Sequence, residues 1–168
     1  MDQSMAYWLF KSEPQLFSID HLAASPQATA AWDGVRNYQA RNSLRDEVKK
    51  GDIILFYHSS CPNPGIVGLA EVAREAYPDP SAWDPGSPAY DPKSLPQKPT
   101  WYMVDVRYLK HLPSMVSLSQ IKDCPQLSGM GVTRKGNRLS IQPVEPSHYE
   151  QILQMAAAPL ESIGQPAR

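Results

Sequence analysis

Four short stretches of this 168-residue sequence gather residue types that can hold or change another molecule. The first is Trp32-Asp33-Gly34-Val35-Arg36-Asn37-Tyr38-Gln39. It sets a flat ring, a flexible Gly and an Arg-Asn pair at the entrance of a helix. Helix N-termini present free N–H groups and favour anions such as phosphate. Trp offers a face to a base, and Asn can read a base edge at two points. The second stretch, Phe56-Tyr57-His58-Ser59-Ser60-Cys61, ends a strand with two rings and several polar groups. His58 with Ser59 or Cys61 resembles a nucleophile and base. No acidic third member lies nearby, however, and adjacent strand residues point to opposite faces. The third stretch is the charged turn Lys11-Ser12-Glu13-Pro14. The fourth is Arg134-Lys135-Gly136-Asn137-Arg138, three cations in a tight turn of the kind that touches phosphates.

Other chemistries leave no trace. There is no GxxxxGK[ST] loop, no GxGxxG after a strand, no HExxH and no GxSxG elbow. Cys61 and Cys124 form neither a CxxC pair nor a metal-ligand spacing. The expectation is a protein that uses no metal and no cofactor, with binding favoured over catalysis.

These stretches need elements to hold them. Ala6–Phe10 reads as a buried strand, halted where Pro14 keeps Glu13 out of helical geometry. Ser18 can cap a short helix. Asn37 to Lys50 reads as the clearest helix. Ala40, Leu44 and Val48 make its apolar stripe, and Gly51 stands at its C-terminal cap. The same spacing puts Arg41, Arg45 and Lys49 in a basic row from which Asp46 and Glu47 fall away. Asp52–His58 and Gly65–Val72 read as antiparallel strands, with Gly68 marking a bulge or close approach. Trp101–Leu109 is a further strand, and Leu118–Asp123 a short helix. Gly136-Asn137 signals a hairpin between Val132 and Leu139–Ile141. Ser147 to Ala158 reads as a helix capped by Ser147 and ended by Pro159.

Pro is abundant, 17 residues in all, and seven of them lie among the 22 residues from Pro78 to Pro99. That segment also holds Trp83 and Tyr90, so it reads as an ordered loop pinned by rings. About five or six short strands in mixed order, with three or four helices, imply a curved sheet or small barrel in one α+β domain. Its expected bounds are residues 6–156, with frayed ends at 1–5 and 157–168.

With 16 Lys+Arg against 17 Asp+Glu, the chain is not a highly basic protein, though a local basic stripe is compatible with that balance. The expected stripe joins Arg36, Arg41, Arg45, Lys49 and the Arg134–Arg138 turn on one side. Asp79, Asp84 and Asp91 stand on the other. No apolar run is long enough to span a bilayer and no signal-peptide core is evident. The chain reads as an intracellular monomer, cytoplasmic, or nuclear in a eukaryote, with no membrane partner.

Taken in order, Tyr7–Pro14, Trp32–Asn42 and Gly51–Ser59 resemble the EVE domain family, and Gly65–Gly68, Ala76–Asp79, Trp101 and Arg138–Ser140 continue the likeness. The resemblance implies a PUA-like mixed β-barrel with flanking helices, similar to YTH domains, which hold methylated adenine of RNA in an aromatic cage. EVE proteins are associated with modified bases, notably modified cytosines in DNA. Carried over, the resemblance puts Lys11 and Ser12 at a pocket wall. Trp32 becomes a cage ring, with Val35, Arg36 and Asn37 at its rim, while Tyr57, His58 and Ser59 close the far side. Thr100 stands before Trp101 where the resemblance implies Arg. The expected function is a non-catalytic reader of a modified base in DNA or RNA. Arg41, Arg45, Lys49, Arg134, Lys135 and Arg138 would be its phosphate contacts. Two other readings remain: an enzyme acting on a modified nucleoside through His58 with Tyr57 or Lys11, and an interaction module presenting the Pro-rich loop.

Overall fold

The computed structural model describes residues 5–164, with side chains through residue 157. Of the expected frayed ends, residues 1–4 and 165–168 fall outside that range, while the backbone from 157 to 164 is helical. Six strands form one mixed sheet: β1 (Tyr7–Ser12), β2 (Thr29–Trp32), β3 (Ile53–His58), β4 (Gly65–Pro78), β5 (Tyr102–Ser117) and β6 (Ile141–Val144). Their spatial order is β2-β5-β4-β3-β1-β6. Only β1 and β3 run parallel, and the other neighbours are antiparallel. The α+β class and mixed sheet are as expected. The sheet stays open between β2 and β6, however, and does not close into a barrel.

Alternation along the strands builds two cores. Trp8 and Phe10 of β1 and Ile54 and Phe56 of β3 face one side, under α1 (Ile19–Ala24) and α2 (Tyr38–Asp46). Leu9, Leu55 and Tyr57 face the other, under α3 (Leu118–Lys122) and α4 (Pro146–Gly164). Because strand side chains alternate, this parity already separates Tyr57 from Trp32.

Gly68 serves as expected. The β3–β4 register shifts beside it, and a Cβ there would lie 2.0 Å from Ile19 Cδ1 and 2.6 Å from the Lys110 carbonyl oxygen. Helix α2 is capped by Asn37 but ends at Asp46, before the expected Lys50. Buried Asp52 explains the early stop. Its carboxylate accepts from Lys49 N at 2.9 Å and Trp8 Nε1 at 2.9 Å, drawing residues 47–52 into a turn that Gly51 completes at φ +93°. Val48 is still buried, but Lys49 lies off the helix.

The hairpin expected at Gly136-Asn137 is absent. Val132 is buried in a single 3₁₀ turn, and β6 pairs with β1 instead. Helix α4 starts at Pro146, so Ser147 lies within it and not at its cap, and it extends past Pro159. Ile152 and Ala156 anchor it in the second core.

Candidate nucleic-acid interface

A cleft of about 600 Å³ opens beside the last residues of β1 and β2. Lys11, Ser12 and Glu13 form one wall, and the turn holding Leu16 and Phe17 forms the next. Ala31 to Gly34 and Arg36 line the back, and Ser81 with Ser87–Ala89 of the Pro-rich loop closes the far side. Four of the pocket residues expected from sequence meet here: Lys11, Ser12, Trp32 and Arg36.

The other five do not line this cleft. Val35 is buried in the first core. Asn37 Oδ1 accepts from Ala40 N at 2.9 Å as the α2 cap. Tyr57 packs in the second core, where burial pushes its hydroxyl up to about 12. His58 Nε2 accepts from Ile19 N at 3.1 Å, and burial lowers its pKa, which suits that neutral acceptor role. Ser59 N donates to Ser12 O at 2.9 Å, joining β3 to β1.

Trp32 is not the isolated ring of a cage. It is 7% exposed and packs between Phe10 and Phe56, each with its ring centroid 5.4 Å away, with the Phe17 ring edge-on. Its contribution to the cleft is a rigid apolar back wall, set by three neighbouring rings.

Arg36 ties the back of the cleft to its far side. Its Nε donates to Ala89 O at 2.9 Å, its guanidinium meets Asp79 at 3.1 Å and Ser81 Oγ at 3.1 Å, and it lies over the Trp101 ring. Asp79 also accepts from Gly34 N at 2.8 Å. Burial pushes the Asp79 carboxyl up, but hydrogen bonds from Ser81, Gly34 and Arg36 outweigh it and hold the pKa below the usual range. Farther along the loop, Trp101 Nε1 donates to Asp91 at 2.7 Å and Trp83 Nε1 to Ser94 Oγ at 3.3 Å. The Pro-rich loop is therefore ordered, as expected, though Trp83 and Trp101 pin it while Tyr90 is exposed. Its acidic residues do not stand apart from the basic ones: Asp79 pairs with Arg36.

Three charged residues that line the cleft, Lys11, Glu13 and Asp33, have no ion-pair partner among the described residues. Lys11 is half-buried, which lowers its pKa, and its ammonium lies over the Tyr57 ring, 5.9 Å from the centroid. Asp33 is pushed up by partial burial and then by the nearby Asp79 charge, against its own backbone N–H and Arg36. Asp33 was quoted in the sequence motif but not selected. Asp33 is exposed, so water satisfies its carboxylate and no sequence signal singled it out.

The basic row dissolves. Arg41 donates to Thr100 O at 2.6 Å and lies over the Tyr38 and Trp101 rings. The Thr100 position thus meets an Arg from α2 through its carbonyl. Arg45 forms two hydrogen bonds to Asp46, at 2.8 and 2.9 Å. Arg134, Lys135 and Arg138 differ: all three are exposed, and none forms an ion pair among the described residues. Their loop abuts the cleft, because Lys11 N donates to Ser140 O at 2.8 Å. Among the described residues no group of His, Cys, Asp and Glu gathers as a metal-ligand set, and no helix is long and apolar enough to cross a membrane.

The chain is thus an open mixed sheet between two helix-covered cores, with a cleft beside the last residues of β1 and β2. Residues 6–155 match the EVE domain, and the protein belongs to that family. It is 42% identical to mouse thymocyte nuclear protein 1 over 166 residues, covering 89% of this chain and 73% of the relative. A solved Leishmania major protein superposes with TM-score 0.88 at 45% identity, covering 94% of this chain and 98% of that one. Human thymocyte nuclear protein 1, solved in complex with DNA containing 5-methylcytosine, superposes with TM-score 0.82 at 39% identity, covering 90% and 97%.

Proposed function

We propose that this protein is a reader that takes one modified base of a nucleic acid, a modified cytosine, into the cleft between Lys11, Trp32 and the Pro-rich loop. One observation carries the reading: the unpartnered Asp33 carboxylate stands beside the apolar Trp32–Phe17 wall in a cavity large enough for a base. A carboxylate accepts from the cytosine N4 amino group, and an aromatic wall contributes roughly 1–3 kcal/mol by contact with the base. The complex of the human relative with 5-methylcytosine DNA supports the same ligand class. A base in a duplex must leave the stack to reach such a cleft. The Arg134–Arg138 loop lies beside the cleft to meet the adjoining phosphates.

The enzyme reading loses its acid–base group, since His58 is taken up by Ile19 N and does not line the cleft. The interaction-module reading is weakened because the Pro-rich loop is bonded inward through Arg36 and Trp101. The test is oligonucleotide binding by fluorescence anisotropy at fixed salt. The wild type binds 5-methylcytosine oligonucleotides more tightly than cytosine or thymine ones. Asp33→Asn weakens binding by about 5–20-fold, the effect of one charge-assisted hydrogen bond. Equal affinity of Asp33→Asn and wild type for the methylated oligonucleotide sinks the base-edge assignment.

A further inference from the structure

Leu16 is the most exposed large apolar residue among those described, at 77%, and it lines the cleft. The others that stand exposed, Met5, Tyr38, Tyr90, Leu95 and Leu109, do not line it. The exposure of Leu16 is not slack. Its N–H donates to Glu13 O at 2.9 Å and Phe17 N donates to the same oxygen at 2.8 Å, closing a turn with Pro14 at its second position. Pro there sets φ before the turn forms. Ser12 Oγ donates to Phe17 O at 2.5 Å and ties the turn back to the end of β1. The Phe17 ring is anchored as well, edge-on to Trp32 at 6.1 Å and alongside His21 at 6.0 Å. The backbone on both sides of Leu16 is therefore fixed, while its side chain stays in solvent.

Charge narrows what Leu16 can meet. From Glu13 to Phe17 the turn carries one carboxylate and no cation, so it does not suit a phosphate. The Arg134–Arg138 loop does, and it runs into Ser140, whose carbonyl accepts from Lys11 N. The end of β1 thus holds a phosphate-compatible loop and a rigid apolar tip beside one base-sized cleft. A base taken out of a duplex leaves a gap in the stack, walled by the faces of its neighbours. Water fills an apolar gap poorly, and the base tends to fall back into it. Apolar side chains, Leu among them, are inserted between base steps by proteins that open or kink a duplex. Such a gap gives Leu16 the burial that it lacks in the free protein.

We propose that Leu16 is a wedge: it enters the base stack of a duplex at the place that the flipped base vacates, and so holds that base in the cleft. The inference rests on the reader function proposed above and adds to it a preference for double-stranded nucleic acid. A mononucleotide has no stack to hold open, so a wedge adds nothing to its binding beyond the wall contact.

The test measures binding at fixed salt to 5-methyl-dCMP and to a duplex carrying one 5-methylcytosine. Leu16→Ala lowers the ratio of duplex to mononucleotide affinity about tenfold. Leu16→Met, close in volume, keeps most of that ratio. As a measurement independent of the variants, the Leu16 methyl NMR signals of the wild type move upfield with the duplex, under the ring currents of the flanking bases, and far less with 5-methyl-dCMP. An unchanged affinity ratio in Leu16→Ala, or methyl shifts as large with the mononucleotide as with the duplex, overturns the wedge. Leu16-dependent duplex binding with no preference for 5-methylcytosine over cytosine keeps the wedge and overturns the modified-base reading. Absence of binding to either ligand overturns both.

Discussion

The two cationic regions of the molecule have similar composition and opposite use. Arg36, Arg41 and Arg45 each have a partner within the protein: Arg36 the Asp79–Ser81–Ala89 set, Arg41 the Thr100 carbonyl, Arg45 the Asp46 carboxylate. Arg134, Lys135 and Arg138 have no carboxylate partner among the described residues. A guanidinium whose donors are already directed at fixed oxygens holds the fold and adds little to phosphate affinity. A solvated one releases counterions when nucleic acid arrives. Charge counted along the chain cannot separate these roles, because the separation lies in what stands opposite each cation.

Experiments can break this contrast. The largest effect belongs to the Arg36 bracket. Asp79 has no side-chain exposure, so Asp79→Asn leaves Arg36 short of its partner and costs about 2–4 kcal/mol in urea unfolding. Its pH signature has a definite sign. The native Asp79 carboxyl lies below its ordinary value of 3.8, so its contribution is complete above that pH and is lost as pH falls further. The stability gap between wild type and Asp79→Asn therefore narrows below about pH 4.

Next comes the basic loop. Changing Arg134, Lys135 and Arg138 together to Gln lowers oligonucleotide affinity on the order of tenfold and flattens the log–log salt slope by about 2–3. Thermal stability stays at the wild-type level. An unchanged slope would return the phosphate contacts to the α2 side and erase the contrast. Arg41→Gln gives a smaller and different effect: about 1 kcal/mol of stability from the lost carbonyl and ring contacts, with the salt slope intact. Arg45→Gln is the smallest, with neither melting temperature nor salt slope moving measurably, since an exposed pair with an adjacent residue is screened by solvent.

Much of the site's framework was legible in the residues. Continuous apolar runs marked β1 and β3, Asn37 announced the start of α2, and Gly68 announced a close approach that Ile19 confirms. The Trp32 motif led to the cleft. The illegible part is what lies across it. Ser81 and Ser87–Ala89 stand roughly fifty residues from Trp32, and nothing local says that a Pro-rich segment will fold back on Arg36. Tyr57 and His58 misled for the converse reason. They are adjacent in sequence to pocket-like residues, but strand parity and the need of Ile19 N for an acceptor put them to other work. Helix α2 stopped early because Asp52, beyond the expected helix, drew Lys49 N to itself.

The residue order by itself determined the α+β class, the starts of β1, β3, β4 and of the first three helices, the ordered Pro-rich loop and the family, because those follow from local apolar runs, capping and motif order. The tertiary structure alone decided that the sheet stays open, that Asp33 faces the cleft unpaired, and that the Arg134–Arg138 loop holds free cations while the α2 cations are bound. Those outcomes depend on which polar groups meet across tens of residues, and a buried or half-buried charge takes its role from the group that folding places against it.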